Sequence, residues 1–236
     1  VESRGLGMCI RDRTYTAYKN GWIAVDPFAG FYVKAEYAER RYLSASELQA
    51  VMDVRLPNYR TGINRDAFVF CAFTGLSHAD IVKLTHADIH TDDNGERWII
   101  DRRQKTGTQF RVKLLPVAEM LYDRYKEMHL AGDRVFPLKG TYNTLNMSLR
   151  HVARHAGLSF NPTIHMARHT FATTITLSQG MAIETISKLL GHKNIRTTQI
   201  YATITHSKLD GDMERLSKRL DTLYRDTDLE KVRERL

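Results

Sequence analysis

The segment TIHMARHTFATT carries His165, Arg168 and His169. Their i, i+3, i+4 spacing sets all three along one face of a helix. A third histidine, His192, follows Gly191 in LLGHKNIRTTQIY, and Tyr201 comes nine residues after it. Lys105 stands upstream, in a turn between two short apolar runs. Histidines sharing a helical face could be zinc ligands, but no Glu or Cys accompanies them at ligand spacing. His151 and His155 repeat the i, i+4 spacing with nothing else beside them, which reads as a solvated face. A tyrosine alone is a packing aromatic. A tyrosine in register with an arginine and several histidines is a candidate nucleophile with its own acid–base groups.

These residues need a scaffold, and the pattern along the chain supplies one. A last helix of a preceding unit is expected over residues 9–23, and residues 24–40 have neither helical nor strand period. LSASELQAVM opens a new helix, with Ser44 and Glu47 spaced as a capping box. Residues 64–73 form an apolar helix that Thr74-Gly75 ends. Ser77, with Asp80 three residues on, caps the next one. Two turn signals, Asn94-Gly95 and Thr106-Gly107, divide the following stretch into a three-stranded antiparallel meander. Helical spacing returns over 116–129, 141–156, 166–179, 182–190 and 195–202. From His206 a tail helix lines up Leu209, Met213, Leu216, Leu220 and Leu223 in one apolar stripe. The fold class is therefore α+β, mostly α-helical, with a small sheet near the start of the main domain.

Composition bounds the function. The 236 residues are 42% apolar and 26% charged, as in a globular chain. The longest apolar run, Ala67–Phe73, is too short to cross a bilayer, and no signal segment is evident, so export is not expected. Cys9 and Cys71 show no pairing pattern, consistent with a reducing compartment. The formal net charge of +8 suits a polyanionic partner, nucleic acid before an anionic membrane surface, although a basic enzyme of another kind carries such a charge too.

The stretch 165–201 resembles the signature of the tyrosine recombinases, the phage integrase family: H-x-x-R-H, then L-G-H, then a tyrosine nine residues on. The resemblance extends over residues 40–205, through the T-G-L corner and the meander with its hairpin lysine. TLSQGMAIETISKLLGHKNIRTTQIYA is similar to integrases of conjugative transposons in particular. The resemblance implies that residues 1–27 are the C-terminal remnant of a core-binding domain in a longer protein. Residues 28–40 would then be a linker, and 41–236 the catalytic domain with its tail helix from about 206. It implies a site-specific recombinase that cuts and rejoins double-stranded DNA through a 3′-phosphotyrosyl intermediate, without cofactor or metal, in moving a mobile element. A homo-oligomer on DNA, tetrameric in this family, accessory DNA-bending factors, and a bacterial cytoplasmic, nucleoid-associated location follow from the same resemblance. Two other readings stay open: a catalytically weakened relative that only recognises DNA or represses, and a metal-dependent nuclease using the histidines.

Carried over residue by residue, Tyr201 is the nucleophile, Arg168 forks onto the scissile phosphate, and His192 or His165 adds a hydrogen bond. A preorganised donor of this kind is worth ~3 to 4 kcal/mol. Tyrosine's ordinary pKa of about 10 calls for a base, for which His165 is the candidate. Lys105 would be the general acid toward the departing 5′ oxygen, its pKa lowered by Arg102, Arg103 and Arg168. His169 supports Arg168, and Arg102, Arg103, Arg111, Lys113 and Lys193 are expected along the DNA backbone. One position departs from the family. After T-G-L the family carries an arginine, the first of two on the phosphate, and here stands Ser77. A hydroxyl cannot replace that fixed charge. Arg65, on the adjoining helix, is the expected substitute, with His78 and Lys83 nearer in sequence.

Overall fold

The computed structural model of the chain describes residues 2–30, 41–104, 107–128, 132–201 and 206–223. They fall into two compact units, Val1–Glu39 and Arg40–Leu236. In the first unit, helix α1 (Glu2–Lys19) begins earlier than its spacing predicts and stops where Asn20 and Gly21 turn the chain. Most of the expected linker, residues 31–40, lies outside the described residues.

The second unit is built around α3 (Tyr59–Thr74), whose apolar residues leave little of its surface in water. It packs against α2 (Ala45–Asp53), α5 (Pro116–Met128), α6 (Tyr142–His155) and α7 (Ile164–Thr170). Phe68 and Phe70 of α3 are fully buried, and Phe70 meets Phe136 edge-on at 5.1 Å between ring centroids. α2 starts with the expected capping box: the Glu47 amide donates to Ser44 Oγ (3.2 Å) and the Ser44 amide to Glu47 Oε2 (2.8 Å). α3 ends on Gly75 at φ 69°, and a Cβ there would lie 2.6 Å from Phe171 Cδ1. The corner therefore excludes side chains twice, by backbone conformation and by space.

Beyond the corner, α4 (His78–Lys83) leads into the meander of β1 (Ile89–Thr91), β2 (Arg97–Arg102) and β3 (Gln109–Lys113), in the order β1-β2-β3. Ile99 pairs with Ile89 on one side and Val112 on the other. In β3, Phe110 and Val112 are buried while Gln109, Arg111 and Lys113 are exposed, the alternation of a sheet with one face on the core. β3 lies against α8 (Ile183–Leu189), and this contact brings the hairpin to the LGH segment.

The helix expected over 166–179 is continuous but not uniform. After α7 the winding widens to a π-helix over Phe171–Thr176 and closes with a 3₁₀ turn, Leu177–Gln179. The Thr176 hydroxyl, donating to the Phe171 and Ala172 carbonyls, supports the wide turn. The helix expected over 195–202 shrinks to α9 (Arg196–Gln199), after which the Tyr201 amide donates to the Thr198 carbonyl in a tight turn. The tail forms α10 (His206–Leu223), with Met213, Leu216 and Leu220 exposed; the side chains of Leu209 and Leu223 lie outside the described residues. Among the described residues no helix is long and apolar enough to cross a membrane.

Candidate active site

Three segments distant in sequence meet at the carbonyl oxygen of Leu190, and Arg168 ties in a fourth. Arg168, on α7, donates to it from Nη2 (2.6 Å) and to the Gly75 carbonyl from Nη1 (2.7 Å). Arg103, just after β2, donates to the same Leu190 oxygen from Nε (2.9 Å) and to Leu189 from Nη2 (3.1 Å). Two guanidinium groups thus share one carbonyl, at 5% and 7% exposure. Gly191 permits the approach: it sits at φ 60°, and a Cβ there would be 3.0 Å from Arg103 Cγ and Nε. The Arg103 guanidinium also covers the Phe110 ring at 3.8 Å.

Ser77 has a place in this cluster. Its hydroxyl donates to Asp80 Oδ2 (2.7 Å), the oxygen that also accepts from Arg103 Nη1 (2.7 Å). The Gln104 amide donates to the other oxygen (3.2 Å). Burial works to raise the Asp80 carboxyl, but Arg103 and the hydrogen bonds outweigh it and hold the group below its ordinary range. The capping box of α4 thereby presents an ionised carboxylate that seats an arginine arriving from the sheet. Among the described residues, Asp80 is the one carboxylate hydrogen-bonded to either guanidinium. Burial, then the charge of Arg103, lowers Arg168 to about 10, so Arg168 remains cationic at neutral pH; burial lowers Arg103 as well, opposed by the charge and hydrogen bond of Asp80.

His192 Nε2 lies 2.9 Å from Arg168 Nη2, and its Nδ1 lies 2.8 Å from Thr198 Oγ1. Burial, then Arg168 and Arg103, lowers His192 to about 4. Tyr201, 8% exposed, joins its phenolic oxygen to His169 Nδ1 at 2.9 Å. His165 is exposed and stands edge-on to His169, ring centroids 4.4 Å apart. The residue expected only to support Arg168 thus touches Tyr201, and the expected base, His165, meets that residue edge-on.

Arg65 is not brought to this cluster. Its Nη1 donates to the Met52 carbonyl (2.7 Å), with Val51 and Val54 further off, and its Nε pairs with Asp66 (2.5 Å). It closes the C-terminus of α2, where unpaired carbonyls and the helix dipole attract a cation. His78 packs edge-on against Tyr142 at 5.3 Å, and Lys83 pairs with Asp101 at 2.7 Å. Arg103, expected on the DNA-facing surface, is the second buried guanidinium instead. Arg102, Arg111, Lys113 and Lys193 are exposed, Arg111 over the Trp98 ring and Lys113 paired with Glu96. Lys105 lies outside the described residues. Among the described residues no three His, Cys, Asp or Glu side chains gather as a metal site.

A mainly helical domain with a three-stranded sheet, an Arg-His-Tyr cluster at its centre, is the architecture of a recombinase catalytic domain. Residues 41–208 match the phage integrase family, and the chain belongs to it. Tyrosine recombinase XerA of Saccharolobus solfataricus is 36% identical over 137 residues, which are 58% of this chain and 43% of that protein. XerC of Chlamydia caviae is 30% identical over 142 residues, 56% of this chain and 44% of that protein. The chain thus matches less than half the length of either. Among solved structures, the Tn1549 transposon integrase in complex with circular intermediate DNA superposes with a TM-score of 0.66 at 19% identity, covering 86% of this chain and 75% of that one. A lambda integrase dimer bound to a COC′ core site gives 0.65 at 21% identity, covering 81% and 69%. At these identities the likeness establishes the fold.

Proposed function

We propose that the chain is the catalytic part of a site-specific DNA recombinase that cuts and rejoins strands through Tyr201, and that it moves a mobile element. The observation that carries this reading is the pair of buried guanidiniums sharing the Leu190 carbonyl, with a single hydrogen-bonded carboxylate among the described residues, beside His192 and the His169–Tyr201 pair. Two desolvated cations with one hydrogen-bonded carboxylate between them among the described residues favour an anion, and a phosphodiester fits the fork geometry of both. Each guanidinium has five N–H hydrogens. The bonds above use three on each, leaving two apiece for phosphoryl oxygens.

In this reading Arg103 takes the place of the arginine absent at Ser77. Arg103 and Arg168 hold the non-bridging oxygens, and Tyr201 Oη attacks phosphorus. The bond to the 5′ oxygen breaks as the phosphotyrosyl bond forms. The phenolic proton passes to the histidine pair, with His169 favoured by its contact, and Lys105 protonates the departing oxygen. A 5′ hydroxyl from another strand reverses the step, and the phosphotyrosyl bond conserves the energy, so no nucleotide cofactor is required. The weakened-relative reading rests on Ser77, and a second arginine already in the cluster removes its main support. Residues 1–27 as the end of a core-binding domain, and a tetramer assembled on DNA with accessory bending factors, belong to the same proposal.

A library of nicked duplexes with randomised sequence tests the chemistry whichever DNA site the protein prefers. Incubated in EDTA, the chain should leave denaturation-resistant protein–DNA adducts, and Tyr201→Phe should leave none. Adducts that survive Tyr201→Phe, or that appear only with added divalent metal, would overturn the assignment.

A further inference from the structure

The contacts of His192 determine where its proton sits. A guanidinium nitrogen only donates, so His192 Nε2, 2.9 Å from Arg168 Nη2, must offer its lone pair. The neutral ring then carries its hydrogen on Nδ1, and Nδ1–H donates to Thr198 Oγ1 at 2.8 Å. Thr198 is fully buried, and its backbone carbonyl accepts from the Tyr201 amide at 2.9 Å. One residue therefore holds the histidine that touches Arg168 and the turn that presents the nucleophile.

In this arrangement His192 cannot donate from Nε2. A ring that is to hydrogen-bond a phosphoryl oxygen needs its hydrogen there, and its Nδ1 then needs a donor. A hydroxyl is the side-chain group that meets both demands in place, because it donates or accepts by rotating about its C–O bond. We propose that Thr198 is a positioning residue whose hydroxyl serves both tautomers of His192. It accepts from Nδ1–H while Nε2 seats Arg168 in the free protein, and it donates to Nδ1 when Nε2–H faces a phosphoryl oxygen. Between the two, one proton leaves Nδ1 to solvent water and one reaches Nε2 from it, so the charge of the ring is unchanged. The second half rests on the proposed function; the first does not.

Nitrogen NMR of the chain labelled with [15N]histidine reads the tautomer directly, with the His192 signals assigned by their loss in His192→Gln. The native chain at neutral pH should show a protonated Nδ1 and an unprotonated Nε2. Thr198→Ser should keep that pattern and the hydrogen-bonded Nδ1–H, whereas Thr198→Val, in which Arg168 still claims the Nε2 lone pair, should leave Nδ1–H without its acceptor, with a shifted Nδ1 signal and faster exchange of its hydrogen with water. In the adduct assay Thr198→Ser should stay near the native rate and Thr198→Val should fall at least ~10-fold, as when a histidine loses the partner that sets its tautomer. Should Thr198→Val not fold, Thr198→Ala, which removes the same hydroxyl, takes its place in both measurements. A native His192 bearing its proton on Nε2, or a hydroxyl-free variant whose Nδ1 signal and Nδ1–H exchange rate are unchanged, overturns the inference whether or not adducts form. A Thr198-dependent Nδ1–H signal in a chain that forms no adducts would count against the recombinase reading alone. An adduct rate insensitive to loss of the hydroxyl would remove the second half of the proposal.

Discussion

Arg103 and Arg65 separate two ways in which an arginine can matter. Arg103 is held by Asp80 and by two carbonyls at the end of α8, with one hydrogen left on each of Nη1 and Nη2. Arg103→Ala should lower the adduct-forming rate ~100-fold or more, the usual loss of one preorganised donor. Arg103→Lys should rescue little, because one ammonium cannot hold Asp80, two carbonyls and a phosphate together. Arg65→Ala should instead lower the melting temperature, by loosening α2 and leaving Asp66 short of a partner, and leave the rate per folded molecule nearly unchanged. Equal rates for Arg103→Ala and the native chain would leave Arg103 as a buried joint between Asp80 and α8 and remove it from the reacting groups. His192 adds a pH signature. Its folded value of about 4 lies below the ordinary 6.5. Between these values the unfolded chain binds a proton that the folded chain refuses, so stability falls as pH drops through that window and is level above it. Asp80 is depressed from 3.8 and loses its contribution only below that. Melting temperatures between pH 7 and 4.5 should therefore fall less steeply in His192→Gln than in the native chain.

The joint between the hairpin and the end of α8 is the element on which the cluster depends. Gly191→Ala puts a methyl 3.0 Å from Arg103 Cγ and Nε at φ 60°. The backbone strain alone costs about 1–3 kcal/mol. The adduct rate should fall further than the stability loss accounts for, because the methyl displaces the guanidinium itself; a loss of stability with an unchanged rate would show that Arg103 has slack. What was legible in the sequence divides along the same line. Helical spacing, the capping boxes at Ser44 and Ser77 and the Asn94-Gly95 turn are local, and the elements they predict are present. The spacing of His165, Arg168 and His169 likewise fixed their common helix. Arg103 could not be placed that way, because its partners at Leu189 and Leu190 are 86 and 87 residues away. The readable trace was Asp80, an acidic cap on an otherwise buried turn that needs a cation. The π-turn at Phe171–Thr176 and the short α9 escaped for a related reason: side-chain hydroxyls and tertiary packing, not the apolar period, decide where those windings change.

Over the whole molecule the net charge of +8 is distributed in two layers with different consequences. Arg102, Arg111, Lys113 and Lys193 stand in solvent, where under the proposed function they would meet DNA by displacing its counterions. Arg103 and Arg168 are fixed in the core, at 5% and 7% exposure, with geometry set before any ligand arrives. The outer layer should govern affinity and its salt dependence, and the inner layer the rate of the covalent step. Lys193→Ala should weaken DNA binding and lower the slope of log affinity against log salt by about 0.9, the share of one phosphate contact. Its adduct rate at saturating protein should match the native chain. Arg168→Ala should show the opposite pattern, with a nearly native salt slope and no measurable adduct. Binding isotherms at several salt concentrations, combined with single-turnover adduct rates, distinguish the two layers in one set of variants. If Lys193→Ala lowered the saturated rate as strongly as it lowered affinity, the division would fail, and the exposed cations would have to be counted as part of the site.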